Sequence, residues 1–394
     1  MHKLIRITTV PVSLQLLLKG QMHFMQEQGF DVTMISSDGP EVKEITQREQ
    51  CKHIAVELTR KISPWKDLLS LIKLVMLFRK LRPAIVHTHT PKAGLIGMCA
   101  AKIAGVPVRL HTIAGLPWME KEGVLRKLLV LIEKITAYCA VQIYPNSWAL
   151  QKYLTQQNIA TGKMKVLGNG SSNGIDCDFF SATPDIAKIA GQLLLEEEVS
   201  PDAWVWVFVG RIVKDKGIGE LLDAFTAIQQ VFPNDRLWLV GAEEPELDPL
   251  LPHHTAMLKE NHGIRCWGFQ KDVRPFLASA KVLTFPSYRE GFPNVPMQAG
   301  AMGCALILSD INGCNEIVEN ESEGLLVQTK SVAQLSAAMF DLRNNPEKRD
   351  KLAAVIRNKI KAGYDQKMIW NSILNEYSYW LKQTKTASLV QENS

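Results

Sequence analysis

Residues Val282 to Val318 read VLTFPSYREGFPNVPMQAGAMGCALILSDINGCNEIV, and this stretch decides the fold. Val282-Leu283-Thr284-Phe285 is an apolar run with the length of a buried parallel strand, stopped by Pro286 and Ser287. The loop Arg289-Glu290-Gly291-Phe292-Pro293-Asn294 follows, with Asn294 placed to cap a helix over about 295–302. A second strand over 305–309 comes after Gly303, and Gly313, Asn315 and Glu316 turn into another helix start. In an open α/β sheet, ligands gather where loops leave the carboxyl ends of strands and helix N-termini present free N–H groups. A carboxylate beside glycines at such a mouth can accept sugar or ribose hydroxyls. A plain βαβ unit with a polar loop has the same spacing.

Outside this stretch, length sets the first bound. A chain of 394 residues exceeds what one core supports, so two domains are expected, 1–180 and 181–394. Alternating strand-like and helix-like segments in both halves predict α/β domains with parallel sheets. The seven cysteines are odd in number and form no C-x-x-C pair, which argues against a disulfide framework or a zinc site and for a reducing compartment. The N-terminus MHKLIRITTV enters a strand-like run without a signal-peptide pattern, and the longest apolar run, Leu68 to Phe78, contains Lys73 and is too short to span a bilayer. These features predict a cytoplasmic protein.

Charge is unevenly shared. Residues 1–180 carry 23 Lys/Arg against 13 Asp/Glu, and the remainder carries 22 against 27. The basic half suits an anionic partner. No aromatic-basic module points to nucleic acid, so none is expected as partner, and an anionic membrane surface fits better. A solvated basic face is the plain alternative. The segment Lys121 to Tyr138 spaces Val124, Leu128, Leu131 and Ile135 as one helical stripe with Arg126, Lys127 and Lys134 between them. Such a helix either rests on an anionic bilayer or is a core helix with a cationic solvent face.

Several strand exits carry candidate ligands. A first strand over 4–10 leads to Pro11 and Ser13, where a helix reaching about Gln28 begins. His87-Thr88-His89 places two histidines on one side of a strand, but no third ligand accompanies them, so no metal is expected. Lys92 and Gly94 open the next helix, and His111 ends a later strand. After the strand 205–209, Gly210-Arg211-Ile212-Val213-Lys214-Asp215-Lys216-Gly217 sets an arginine and a lysine five apart between glycines at a helix start. Arginine offers a bidentate fork, lysine a point charge and the helix further N–H groups, a combination suited to a diphosphate. Solvated loop charges are the alternative. Phe269 and Gln270 follow Gly268 at another exit, with Asp272 as a helix cap.

The segment Ser287 to Pro293 resembles the donor-binding segment of the family-four retaining glycosyltransferases, which have the GT-B fold of two Rossmann-like domains facing a cleft. Gly210 to Gly217, Asn173-Gly174-Ile175-Asp176 and His87 to Gly94 resemble further elements of that family. The Val-Pro-x-Ser exit at 10–13 is similar to a subgroup making bacterial capsule and O-antigen sugars. Two positions depart from the pattern. The second of the family's two glutamates is Gln298, and the histidine that many relatives place before Gly115 is Ala114, with His111 three residues earlier.

The resemblance implies sugar transfer with retention from a nucleotide donor, most simply UDP-linked, to a polyprenyl-diphosphate-linked glycan in surface polysaccharide assembly, with peripheral contact on the cytoplasmic face of the inner membrane. Glu290, Arg211 and Lys216 are the implied catalytic group. Gly210, Phe269, Gln270, Gly291, Phe292, Pro293, Asn294 and Gln298 are the implied donor contacts, and Ser13, His87, Lys92 and His111 the acceptor or cleft residues. No cofactor or metal is implied. A UDP-sugar epimerase of the same fold, or a non-catalytic assembly partner that binds sugar nucleotides, would share most of these features. A final helix over about 369–380 is expected to cross back to the first domain.

Overall fold

The computed structural model describes residues 1–392 except 60–62, 117, 119–121 and 247; side chains are described up to 386, residue 385 excepted. The chain forms two compact units, Met1–Gly174 with Gln366–Ser394, and Ile175–Asp365.

The first unit runs β1 (His2–Ile7), α1 (Pro11–Leu17), α2 (Gln21–Glu27), β2 (Phe30–Ser36), α3 (Val42–Glu49), β3 (Lys52–Ala55), α4 (Pro64–Leu81), β4 (Ile85–His89), α5 (Pro91–Ile103), β5 (Val108–Ile113), α6 (Gly123–Cys139), β6 (Gln142–Pro145) and α7 (Trp148–Gln156). The second holds α8 (Pro184–Glu196), β7 (Val205–Val209), α9 (Ile218–Val231), β8 (Arg236–Val240), α10 (Pro252–Glu260), β9 (Ile264–Cys266), α11 (Arg274–Ser279), β10 (Val282–Phe285), α12 (Asn294–Met302), β11 (Ala305–Ser309), α13 (Cys314–Ile317), β12 (Leu325–Val327), α14 (Val332–Asn344) and α15 (Pro346–Gly363). The closing helix α16 (Gln366–Glu392) returns to the first unit.

Each unit has one six-stranded parallel sheet, ordered β3-β2-β1-β4-β5-β6 in the first and β12-β11-β10-β7-β8-β9 in the second. Strand direction of travel reverses between β1 and β4, and again between β7 and β10, and these reversals are the topological switch points. The central strands are buried on both faces, which explains runs such as Val205-Trp206-Val207-Phe208-Val209 that are apolar at every position. In the first unit, α4, α5 and α6 cover one sheet face around Leu74, Phe78, Ile96 and Val86. On the other face, Leu14, Met22 and Met25 pack with Ile369, Ile373 and Tyr377 of α16.

Local chemistry sets most helix starts. Proline stands in the first turn of α1, α4, α5, α8 and α15, where its missing N–H has no intrahelical partner to lose. Ser147, Thr183 and Ser331 cap α7, α8 and α14 with their hydroxyls. Two expectations change. The helix expected from Ser13 to Gln28 is broken into α1 and α2 at Gly20, whose φ of 79° turns the chain beneath the Trp370 ring. Ser13 accordingly lies inside the first turn of α1, not at its cap. Asn294 is the first residue of α12 and Pro293 its N-cap, with no side-chain capping bond.

Candidate functional site

In the second unit, the exits of β7 and β10 lie side by side at the switch point, because β10 pairs directly with β7. Gly217, with φ 69°, brings them together: a Cβ there would collide with the Pro286 carbonyl oxygen. Tyr288 N–H donates to the Asp215 carbonyl at 2.9 Å, and Arg289 pairs with the Asp215 carboxylate at 3.2 Å, so the two loops are also tied by bonds.

This approach assembles charge. Lys216 Nζ lies 2.6 Å from Glu290 Oε1, both side chains being less than a fifth exposed. Ser287 Oγ donates to the same oxygen at 2.9 Å. Asn312, from the exit of β11, donates to the Gly291 carbonyl at 2.6 Å and so holds the glutamate's loop from behind. Arg211, on the β7 exit, is about half exposed and pairs with Glu244 of the β8 exit at 2.8 Å. That hydrogen bond raises the guanidinium above its ordinary value. Two cations thus stand at one strand exit, each held by a carboxylate.

The other expected donor contacts are more dispersed. Gly210 begins the β7 exit, and Gly291, Phe292, Pro293 and Asn294 continue the loop of Glu290 into α12. Phe292 is buried against Tyr364, whereas Phe269 is 74% exposed, so it is not a core phenylalanine. Gln270 donates its amide to the Trp267 carbonyl at 2.7 Å. Gln298 lies within α12.

The first unit has a different chemistry at its switch point. Thr9, leaving β1, donates its N–H to Thr90 Oγ1 at 3.1 Å, and the two hydroxyls meet at 2.8 Å. Thr90 takes φ 75°, ψ 144°, a strained conformation for a β-branched residue, at the start of α5. Lys92 in the first turn of α5 bonds both Asp67 carboxylate oxygens at 2.8 and 2.9 Å. Ser13 is nearly buried.

The histidines are interior groups. His87 is fully buried, with Nδ1 on Tyr377 hydroxyl at 2.7 Å and Nε2 on Thr112 hydroxyl at 2.8 Å. Both nitrogens are therefore occupied. Arg6, also fully buried, donates to His89 Nε2 at 3.2 Å, to Tyr377 hydroxyl and to Gln21. Burial lowers both His87 and His89 well below the ordinary histidine value, and the Arg6 charge lowers them further. Neutral rings are the form that this cationic, dry environment favours.

His111 is buried as well, with Nδ1 2.8 Å from Thr88 Oγ1 and Nε2 3.9 Å from Glu133 of α6. Burial lowers the imidazole to about 4 and raises the Glu133 carboxyl to about 7. Both line a cavity of about 10 Å³ with Thr90, Pro91, Ala114 and Gly115. A larger opening of about 530 Å³ lies at the opposite end of the strands, between Phe78, Arg82 and Pro107, away from every candidate residue.

Sequence reading missed Glu244, Asn312 and Glu133, and it gave no role to Ser287 and Thr90, although both lie within the segments that carry the resemblance. Glu133 reads as one more charge on a cationic helix. Among the described residues, Asp223, His253 and His254 bring ligand atoms within 4.8 Å of one another. His254 Nε2 already meets Asp223 at 3.1 Å while its ring packs on Gly219, so a histidine–carboxylate hydrogen bond accounts for the cluster.

Comparison with known proteins adds a separate line. Residues 203–345 match the family model of glycosyl transferases group 1, and residues 10–147 match that of glycosyl transferase 4-like proteins. The chain is 32% identical to the capsular polysaccharide biosynthesis glycosyltransferase CapM of Staphylococcus aureus, over 98% of this chain and 99% of that protein. It is 26% identical, over 88% of each, to the UDP-Gal:alpha-D-GlcNAc-diphosphoundecaprenol alpha-1,3-galactosyltransferase of Escherichia coli. Among solved structures, Anabaena Alr3699/HepE in complex with UDP and glucose superimposes with a TM-score of 0.80 at 18% identity, covering 96% of this chain and 100% of that one. The architecture is GT-B, with two Rossmann-like units.

Proposed function

The chain belongs to the glycosyl transferases of the group 1 and 4-like models, and from that premise we propose that it moves a sugar, with retention of configuration, from a UDP-linked donor to a polyprenyl-diphosphate-linked glycan. The product belongs to capsule or O-antigen assembly. The observation that carries this reading is the cluster of Lys216, Glu290 and Ser287 at the switch point of the second unit, with Arg211 on the same exit.

In the reaction, the bond between the sugar's anomeric carbon and the diphosphate breaks, a bond to the acceptor hydroxyl's oxygen forms, and the hydroxyl proton passes to an oxygen of the departing diphosphate. The leaving UDP gains negative charge as this happens. Lys216 and Arg211 stabilise that charge, and because Lys216 is held by Glu290 before the donor arrives, little reorganisation is needed there at the moment of reaction. Arg211 turns from Glu244 toward the diphosphate, exchanging one oxyanion partner for another. Glu290, oriented by Lys216 and Ser287, accepts hydroxyls of the donor sugar. Gln298 accepts one bond from the ribose and donates another, without the charge that strengthens such bonds. The exposed ring of Phe269 and the neighbouring Gln270 cover the base. The E. coli relative is named for a UDP-linked donor and a diphosphoundecaprenol-linked acceptor, and this supports both substrate classes.

The test is thermal stabilisation by UDP, GDP and ADP, with wild type beside Arg211→Ala. UDP alone is expected to stabilise the wild type. Losing one charged contact of about 2 kcal/mol weakens binding at least tenfold, so the shift should largely vanish in the variant. Preference for GDP or ADP overturns the donor assignment. Retention is read from the anomeric configuration of the product by NMR.

A further inference from the structure

Helix α6 puts its apolar row outside and its one carboxylate inside. Val124, Leu128, Leu131, Ile135 and Tyr138 are exposed, so the stripe that periodicity offered as a core face points outward. Glu133 is turned inward and only 5% exposed. Burying a carboxyl costs free energy unless hydrogen bonds replace its water. Among the described residues no hydrogen bond reaches either Glu133 oxygen, and the approach to His111 Nε2, at 3.9 Å, is too long for one. Buried polar groups are nearly always bonded, so this exception calls for a partner from outside the chain.

The facing imidazole is fixed in place and in tautomer. Gly94 of α5 lies against the ring, where a Cβ would come within 2.5 Å of His111 Cε1. Nδ1 reaches Thr88 Oγ1 at 2.8 Å and the Thr88 carbonyl oxygen at 3.2 Å. A carbonyl only accepts, so Nδ1 carries the hydrogen and Nε2 of the neutral ring keeps its lone pair. Burial keeps that ring neutral and lets the Glu133 carboxyl hold a proton to about 7. The recess that both line, about 10 Å³, is the space of a single water-sized oxygen. It lies where β4 and β5 end, between Thr90-Pro91 and Ala114-Gly115, and ligands of open α/β sheets gather at such ends. Thr90, strained at φ 75°, forms part of its rim. No cation lines it, and Lys92 nearby is held by Asp67, so an anion finds no counter-charge there.

We propose that this recess is a sugar-hydroxyl subsite, in which Glu133 and His111 Nε2 together take one hydroxyl of a substrate sugar. One donor and one acceptor facing a space one oxygen wide are the complement of a hydroxyl, which accepts from the carboxyl and donates to Nε2. When the carboxyl is ionised, the hydroxyl donates to it instead in a charge-assisted bond. Glu133 thereby becomes a substrate-binding residue that acts on the sugar and not on the diphosphate. The assignment rests on the reading that the chain transfers a sugar from a UDP-linked donor, and it adds a contact that selects the sugar by a hydroxyl.

The hydroxyl comes from the donor sugar or from the acceptor sugar, and two arms on the full chain distinguish these sources. In the donor arm, calorimetry compares UDP with UDP-glucose, UDP-galactose and their N-acetylhexosamine counterparts. In the acceptor arm, the methyl α-glycosides of the same four sugars are titrated with and without UDP, and the His111 imidazole signal, assigned with His111→Gln, is followed by NMR. Glu133→Leu removes the polar partner, and Ala114→Val narrows the recess from its rim. Each should weaken sugar binding in the responding arm about tenfold or more. Glu133→Gln, which keeps a donor and an acceptor, should stay within about threefold of wild type. A gain of UDP-sugar over UDP that Glu133→Leu removes assigns the recess to the donor sugar, and a glycoside response that it removes assigns the recess to the acceptor sugar. No response in either arm, or a response that both variants leave at wild-type strength, means a resident water only and overturns the subsite. UDP stabilisation of the same samples reports folding and separates the two claims. A silent recess with an intact UDP shift overturns the subsite and leaves the donor site. A glycoside response through Glu133 without a UDP shift supports the subsite and overturns the donor site.

Discussion

The two units share one strand topology and differ at its switch point. Read from their outer strands, β3-β2-β1-β4-β5-β6 and β9-β8-β7-β10-β11-β12 are the same order. Where strand travel reverses in the second unit, Lys216, Glu290 and Arg211 form an ionic cluster with Ser287. Where it reverses in the first, Thr9 and Thr90 meet through hydroxyls, and the histidines behind them are neutral. Backbone geometry therefore supplies a mouth in both units, and the residues of two exit loops decide whether that mouth holds an anion. A diphosphate is suited to the second unit for this reason.

The largest expected effect comes from making the second mouth resemble the first. Lys216→Met removes the cation and leaves Glu290, mostly shielded from water, with Ser287 as its remaining bonded partner. We expect a loss of about 3 kcal/mol in UDP affinity, roughly a hundredfold, by calorimetry. A change below threefold would mean that Arg211 and helix N–H groups hold the diphosphate without Lys216.

Next in size is a pH effect confined to the first unit. Glu133 holds its proton to about pH 7 in the folded protein, against 4.5 in the unfolded chain. Between those values the folded state binds the extra proton, so stability falls as pH rises through the window and levels off above it. His111, lowered from 6.5 to about 4, opposes this between pH 4 and 6.5, because there the unfolded chain binds the extra proton. Glu133→Gln should therefore gain about 2 kcal/mol relative to wild type between pH 5 and 7.5. Urea melts giving a pH-independent difference between the two proteins would refute this.

A smaller effect is expected from Thr90→Ala. Loss of the bonds to Thr9 should destabilise the protein by about 1 kcal/mol while leaving the UDP shift unchanged. A lost UDP shift would show that the neutral mouth takes part in donor binding. The smallest prediction sharpens the ionic side. Glu244→Gln releases Arg211 from its carboxylate and should tighten UDP about threefold. Weaker binding would instead make Glu244 a positioning group for the guanidinium.

The ionic mouth was legible in sequence because its members lie in two short runs, 210–217 and 287–294, each beside glycines at a strand end. Their partners were not. Glu244 and Asn312 reach these runs from other strand exits, through pairings that only the sheet order creates. Periodicity found the apolar row of α6 but could not say which side it faced, since a stripe has the same period whether it looks inward or outward. In α6 the inner side is filled by Glu133, Thr136 and Ala137, residues that no hydropathy pattern selects. The break between α1 and α2 has a similar origin, because the Trp370 ring lying over Gly20 is 350 positions away in sequence.

The return of α16 to the first unit carries a consequence for synthesis. Tyr377 bonds Arg6 and His87, and Ile369 and Ile373 close the core beside Leu14 and Met22. These groups leave the ribosome after the whole of the second unit. Throughout translation of residues 175–365 the first sheet has one face incompletely covered and a buried arginine without its tyrosine. The second unit, by contrast, is one uninterrupted segment. It can be complete while the first is still waiting for its final helix, so the half of the chain that begins first finishes last.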